Sequence, residues 1–544
     1  MRNFKFKRSL TLVAVSSLLS LTVVSIPTAA RAADPACTTA NFVTTCVGAT
    51  SDSAPYMMMV PANFNGTAYI YSHGYRNNVP LPAALSQITG FPATVVNTAE
   101  PAPGGNPTII GALLGKGYAV MGSGFARQGW NADSAIKTNV ELIGLFKKQF
   151  TKTKKVVAWG NSLGGFITQA LAEQYPNLIS AAAPLCMASD LPPALTYAGD
   201  ALWGIKTFFD PTIKGGNYSA GAAGYAEAMG DLGKVFAIAD ALSKAFAANP
   251  TAPAWPATSK VPDAIKAIPS RSALVMVALM SGIPLQSAHF DATSAPSVLP
   301  AAQQTSFQLA INPAFAALEN VSNAAALGVL VIHDIEQQAG GAVFDNTATD
   351  YAARIAEEQF IWSSALSGNS GIGGLASVLA ASPRAKADPA AVAKLKTLAS
   401  HSGKVEIPTI LFTGVADPVT VAGNQQSVAD KYAAYWADKW AAAKKAGERK
   451  RPANNQLVLW NFPPEKYTKY TAAGAPDTTV AAATGTNHCN FSTSQYMAVA
   501  DLLAYAADNG KNMSGGALLT KLRKAGNMTY DRGYSAPRLK YYGN

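Results

Sequence analysis

The segment Gly160-Asn161-Ser162-Leu163-Gly164 constrains this chain more than any other. An apolar run, Val156-Val157-Ala158-Trp159, precedes it, and a helix-like run from Phe166 to Tyr175 follows, stopped by Pro176. Strand, sharp turn bearing serine, then helix is the setting that G-x-S-x-G requires. The turn strains the serine backbone, and small flanking residues let strand and helix approach closely. The hydroxyl then stands at the top of a sheet above a helix N-terminus, whose dipole favours developing negative charge. The plainer alternative is a tight turn in a glycine-rich chain; the flanking strand and helix favour a nucleophile.

The first 32 residues do not read as fold. Arg2, Lys5, Lys7 and Arg8 form a basic start, Leu10 to Ile26 is apolar, and Ala30-Arg31-Ala32 offers a small-x-small cleavage site. This is a signal peptide pattern, and it predicts a secreted or periplasmic protein. Its five basic residues lower the net charge of the mature chain from +11 to +6. That balance is mild, and no basic run with interleaved aromatics points to nucleic acid. No later stretch reads as a membrane span; the longest candidate, Ala273 to Leu285, reads as a buried helix. Four cysteines in an exported chain fit two disulfides, with three pairings open. Cys37 and Cys46 are close enough to close a small loop, which leaves Cys186 with Cys489. No C-x-x-C or H-x-x-x-H spacing suggests a metal, and no cofactor is expected.

Strand-like runs at Tyr56–Val60, Ala68–Tyr71, Gly117–Met121, Val156–Trp159, Ile179–Cys186, Pro408–Gly414 and Leu457–Phe462 alternate with helical patterns, among them 134–149 and Tyr432–Lys445. Such alternation predicts an α/β fold: a mostly parallel, doubly wound sheet with helices on both faces. Between Ala188 and Lys404 the rhythm stops. Apolar stripes such as Leu232, Val235, Phe236, Leu242 and Phe246, and Tyr351, Ile355, Trp362 and Leu366, suggest helices. The expected organisation is a signal peptide over 1–32 and a core over 33–190 and 405–512. A large, mostly helical cap is inserted over 191–404, and a tail runs from 513 to 544, either wrapped on the core or loosely held.

A serine nucleophile needs a base, and the base an orienting acid. In sheet hydrolases with an elbow serine the order is Ser, acid, His. Asp417, just past the strand ending at Gly414, is the favoured acid, with Asp190 second and a turn-capping role as the alternative. After Asp417 the one remaining histidine is His488, in Gly485-Thr486-Asn487-His488-Cys489. His289, His333 and His401 read as cap or surface residues. Two backbone N–H groups are expected to hold an oxyanion: that of Leu163, and that of Tyr75 in Ser72-His73-Gly74-Tyr75, with His73 bracing the loop.

His73-Gly74, Gly160 to Gly164, Gly414 to Asp417 and His488, in that order, resemble the α/β-hydrolase superfamily over about 40–190 and 405–512. Within it the pattern is most similar to secreted bacterial carboxylesterases and lipases. Cys489 directly after His488 is similar to the tannase and feruloyl esterase group, where a second cysteine precedes the nucleophile and pairs with it. Here Asn161 holds that position, and Cys186 is the alternative partner. The resemblance implies an α/β-hydrolase fold and cleavage of carboxylic esters, small or polymeric, through an acyl-enzyme. A peptidase or amidase with the same triad is the alternative. A non-catalytic envelope or polymer-binding protein is a third reading, against which the intact Ser, Asp and His stand.

Overall fold

Alternate side chains on the central strands face two different cores, which is why those strands read as unbroken apolar runs. On the strand Lys155–Asn161, Val156 and Ala158 join one buried cluster, whereas Val157 and Trp159 join another. The same split separates Ala68 and Ile70 from Tyr69 and Tyr71 on the strand Thr67–Ser72. Both faces are therefore covered, as expected of parallel strands. The computed structural model describes residues 34–188, 190–294, 301–398, 400–472 and 476–537, with backbone alone for 301–309. The signal peptide expected over 1–32 and the end of the tail lie outside the described residues.

The strands are β1 (Ala36–Ala40), β2 (Val43–Ala49), β3 (Pro55–Pro61), β4 (Thr67–Ser72), β5 (Ala119–Ser123), β6 (Lys155–Asn161), β7 (Ala181–Leu185), β8 (Thr409–Gly414) and β9 (Gln456–Asn461). They form one mixed sheet in the order β1-β2-β3-β5-β4-β6-β7-β8-β9. From β5 across to β9 every pairing is parallel, while β1, β2 and β3 run antiparallel at one edge. This is an α/β fold with a mostly parallel sheet. The β1–β2 hairpin had no counterpart among the strand-like runs. β1 is exposed throughout and β2 is mostly half-buried, so no apolar alternation marks the pair, and the Cys37–Cys46 disulfide crosslinks directly paired residues within it.

On one face lie α1 (Ala132–Gln149) and α2 (Leu163–Gln174), the helix after the elbow; on the other lie α8 (Thr493–Asn509) and α9 (Gly515–Ala525). Between β7 and β8 the chain leaves the sheet and forms helices that include α3 (Leu191–Phe208), α4 (Gly221–Ala248), α5 (Ser270–Met280) and α6 (Ala301–Ala339). A further long helix, α7 (Ala422–Lys445), follows β8. The tail is held on the core as far as it is described. Leu518, Leu522 and Ala525 of α9 are buried, and Thr529 pairs with Trp460 of β9.

One sequence expectation needs correction. Ala273 to Leu285 is not the longest apolar stretch: the Ala310–Ala339 part of α6 contains a window of mean hydropathy 1.6, enough by length and composition to cross a membrane. Its asparagines and Pro313 hide the run from the eye, and 67% of that window is buried inside the protein, where α6 packs on α3, α4 and α5.

Glycine requirements differ sharply between the elbow and the periphery. A Cβ at Gly164 would lie 1.9 Å from the Ser72 carbonyl oxygen, whereas one at Gly144 on α1 would meet nothing within 4 Å. We expect Gly164→Ala to destabilise the protein by about 2–3 kcal/mol or more. Gly144→Ala should instead stabilise it by roughly 0.5–1 kcal/mol. Urea unfolding midpoints check both.

Candidate active site

The elbow is built from close backbone approach. Ser162 joins β6 to α2 with φ 59 and ψ −123, a conformation costly for any residue with a side chain. The surrounding bonds over-determine it. The Ser162 N–H donates to the Leu185 carbonyl at 3.0 Å, and the Ala188 N–H donates to the Ser162 carbonyl at 3.1 Å. A Cβ at Gly160 would lie 2.4 Å from the Gly164 carbonyl oxygen, so strand and helix meet only because both residues are glycine. The serine side chain is thereby presented at the C-terminal ends of the parallel strands, half-buried.

Asp417 lies just past β8 and is completely buried. Its Oδ1 accepts from the N–H groups of Val419 and Thr420 at 2.8 and 2.9 Å, and its Oδ2 accepts from the Thr420 hydroxyl at 3.1 Å. The capping role weighed in the sequence is thus real. It coexists with a second one: Oδ2 lies 2.9 Å and Oδ1 3.1 Å from His488 Nδ1. A carboxylate only accepts, so Nδ1 carries the proton and Nε2 is left as the basic nitrogen. His488 is 25% exposed against 1% for Asp417, so the pair reaches from core to solvent.

The histidine loop runs beside the acid loop. Ala416 donates its N–H to the Gly485 carbonyl at 2.9 Å, and Ala416 bridges Thr486 in parallel register. Gly485 has φ 76, and a Cβ there would lie 2.5 Å from Pro463 N. Asn487 and Cys489 flank His488 with φ 60 and 52. Cys489 is bonded to Cys186, which has φ 37 and follows β7, with a Cα–Cα separation of 5.5 Å. The Thr420 hydroxyl lies 2.8 Å from the Cys186 carbonyl, so that carbonyl and the Asp417 carboxylate both face it. Asn161, at the position before the serine, donates instead to the Tyr496 hydroxyl on α8 at 2.5 Å.

The structure brings Asp417 and His488 into contact and sets Ser162 at the same sheet edge. Among the described residues the Ser162 hydroxyl makes no hydrogen bond to His488. The loop bearing Gly74 lies over the serine: a Cβ at Gly74 would be 3.2 Å from Ser162 Cβ and 3.7 Å from Oγ. Tyr75, Ser162 and Leu163 line one small cavity of about 50 Å³. Among the described residues neither the Leu163 nor the Tyr75 N–H donates a hydrogen bond. Leu163 is the first residue of α2, where no intrahelical acceptor exists.

The other acid and histidines lie elsewhere. Asp190 accepts from the His401 N–H at 2.7 Å and from Lys431 Nζ at 2.6 Å. His289 pairs with Glu319, His333 is buried against Tyr218, and His401 is buried against Phe166. His73 Nδ1 donates to the Gly74 carbonyl at 2.7 Å, and its ring packs on Phe125. Burial, helped by the charge of Arg76, lowers the His73 pKa to about 3, so it is neutral at physiological pH. Asp417, His488 and Cys489 gather three potential metal-ligating atoms, but the cysteine sulfur is spent in the disulfide.

Two residues at the site went unread in the sequence. Thr420 was within reach, because D-x-x-T after a strand is a recognisable turn signature. Tyr197 of α3, whose hydroxyl donates to the Val419 carbonyl, carried no signal.

No family model matches the chain, and no curated protein matches it in sequence. Solved structures do show local likeness. An esterase from Pyrococcus furiosus is 15% identical over 28% of this chain and 54% of its own, with a TM-score of 0.20. Feruloyl esterase B from Aspergillus oryzae is 10% identical over 77% of this chain and 72% of its own, at 0.28. The rice cell wall degrading esterase LipA from Xanthomonas oryzae is 12% identical over 77% and 82%, at 0.27. The fold description rests on strand order and register, not on these likenesses.

Two outcomes are expected here. Below pH 6.5 the unfolded chain binds a proton at His73 that the folded chain refuses down to about pH 3, so stability falls as pH drops through that window. Buried His333 and His401, also lowered, act with the same sign. The urea midpoint should therefore fall between pH 7 and pH 4, and fall less in His73→Asn. Separately, non-reducing peptide mapping should recover Cys37 joined to Cys46 and Cys186 joined to Cys489.

Proposed function

We propose that the chain is a serine ester hydrolase of the α/β-hydrolase superfamily, with Ser162, His488 and Asp417 as its triad. The observation that carries this reading is the buried Asp417 carboxylate held 2.9 Å from His488 Nδ1, at the sheet edge that presents the elbow serine. Three further features support it. The three residues follow β6, β8 and β9 in the order Ser, Asp, His. The run β6-β7-β8-β9 is parallel, so the loops after β6, β8 and β9 that bear the three residues leave one edge of the sheet. The disulfide at Cys489 supports kinship with the tannase and feruloyl esterase group, with Cys186 in place of a cysteine before the serine.

In the first step Ser162 Oγ bonds to the ester carbonyl carbon while its proton passes to His488 Nε2. Asp417 keeps the imidazole in the Nδ1–H tautomer and stabilises the imidazolium. The carbonyl oxygen becomes an oxyanion that takes hydrogen bonds from the N–H groups of Leu163 and Tyr75. Collapse breaks the ester C–O bond, and the alcohol leaves with the proton from His488. Water then repeats the sequence on the acyl-enzyme and regenerates Ser162. In this reading the Ser162–His488 hydrogen bond, absent in the free structure, forms once substrate fills the site. The helices between β7 and β8 serve as a cap, since α3 and α6 wall the cavity beside the serine. Two disulfides that use all four cysteines favour an oxidising compartment, in keeping with secretion or export to the periplasm.

Ser162→Ala should abolish turnover of p-nitrophenyl acetate and leave the unfolding free energy within about 0.5 kcal/mol of wild type, because a half-buried hydroxyl contributes little packing. Asp417→Asn should lower kcat by about 10⁴-fold, through loss of the tautomer. Asp190→Asn should cost far less. The reverse ranking, or turnover persisting in Ser162→Ala, would overturn the assignment.

A further inference from the structure

The cavity beside Ser162 carries information about the substrate. At about 50 Å³ it is small. A space of this size beside the serine suits a short chain rather than a long one. Its walls are carbon-rich: Ala194, Tyr197 and Ala198 from α3, and Ala324, Leu327 and Val331 from α6. Among the described residues no charged side chain lines it. The two helices touch where α6 has Gly328: a Cβ there would lie 3.3 Å from the Ala198 carbonyl oxygen and 3.4 Å from its Cβ. Close backbone packing therefore fixes the separation of the two helices, and the side chains on their facing surfaces set the length of the space.

Which part of an ester enters follows from the lining. Ser162, Leu163 and Tyr75 all border the cavity, and His488 does not. The group that remains on Ser162 with its carbonyl oxygen at the Leu163 and Tyr75 amides is the acyl chain. The alcohol departs toward the histidine that protonates it, whose side chain is 25% exposed. A larger groove of about 810 Å³, bordered by Trp362 and Tyr534, lies across the segment 415–423 and does not include Ser162.

We infer that the acyl site takes short acyl groups, up to about butyryl, with Ala324 and Leu327 setting the upper limit. This inference rests on the ester-hydrolase reading. Ala324 is 3% exposed, so a larger side chain there has no room to turn away. Leu327 is half-buried, and its truncation opens the wall.

The test is kcat/KM for p-nitrophenyl acetate, butyrate and octanoate in wild type, Leu327→Ala and Ala324→Val, each read as ratios within one variant. Wild type should turn over octanoate at least tenfold less efficiently than butyrate. Leu327→Ala should raise the octanoate-to-acetate ratio by tenfold or more, and Ala324→Val should lower the butyrate-to-acetate ratio by a similar factor. Should Ala324→Val fail to fold, Leu327→Ala decides alone. A wild-type preference for octanoate, or ratios unmoved in Leu327→Ala, overturns the inference while leaving the hydrolase reading intact. No turnover of acetate, or turnover that survives Ser162→Ala, overturns the hydrolase reading and this inference with it.

Discussion

The C-terminal end of β7 is the point on which the site depends. Leu185 accepts the Ser162 N–H, and Ala188 donates back to the Ser162 carbonyl. Between them Cys186 is bonded to Cys489 beside His488, and its carbonyl lies 2.8 Å from the hydroxyl of Thr420, whose backbone N–H caps Asp417. Four residues in sequence thus locate a serine, a carboxylate loop and a histidine loop from distant parts of the chain. The disulfide spans 303 residues of sequence, so closing that loop in the unfolded chain is worth on the order of 5 kcal/mol of entropy. Its local consequence matters more: it pins the His488 loop to the strand that holds the elbow.

The elbow itself is possible because backbone replaces side chain at every contact. Gly160 and Gly164 let β6 and α2 converge, with the Ser72 carbonyl in the space a side chain at Gly164 would need. Asn139 of α1 donates to the Ser72 hydroxyl at 2.9 Å, so the next loop is braced as well. That loop carries Gly74 over Ser162 and then Tyr75 into the cavity wall. Strain at Ser162 is held by bonds on both sides, and residues of α3 and α6, both between β7 and β8, line the cavity beside it. Tyr197 couples the two layers, since it lines the cavity and donates to Val419 in the acid loop.

The central strands were legible because both their faces are buried, which leaves continuous apolar runs bounded by turns. The residues meeting at the site were legible because strand ends, glycines and chain order constrain one another. The rest was hidden for physical reasons. α7 begins at Ala422, ten residues before the expected Tyr432, because its first turns bury Asn424, Gln425 and Gln426 rather than apolar side chains. Helical spacing from Tyr351 to Leu366 gives only the short helix Tyr351–Ile355 followed by turns, although Tyr351, Ile355 and Leu366 are still buried. The cavity walls could not be read at all, since Ala194 and Ala324 are ordinary helix residues until α3 and α6 are brought together.

The central claim is that Ser162 is the one activated nucleophile, made so by the Asp417–His488 pair. Labelling with a fluorophosphonate, followed by peptide mapping of wild type and Asp417→Asn, tests it most directly. The account predicts one adduct in wild type, on Ser162, and labelling of the same residue slowed by orders of magnitude in Asp417→Asn. An adduct on another residue, or equal labelling rates in the two folded proteins, would contradict it.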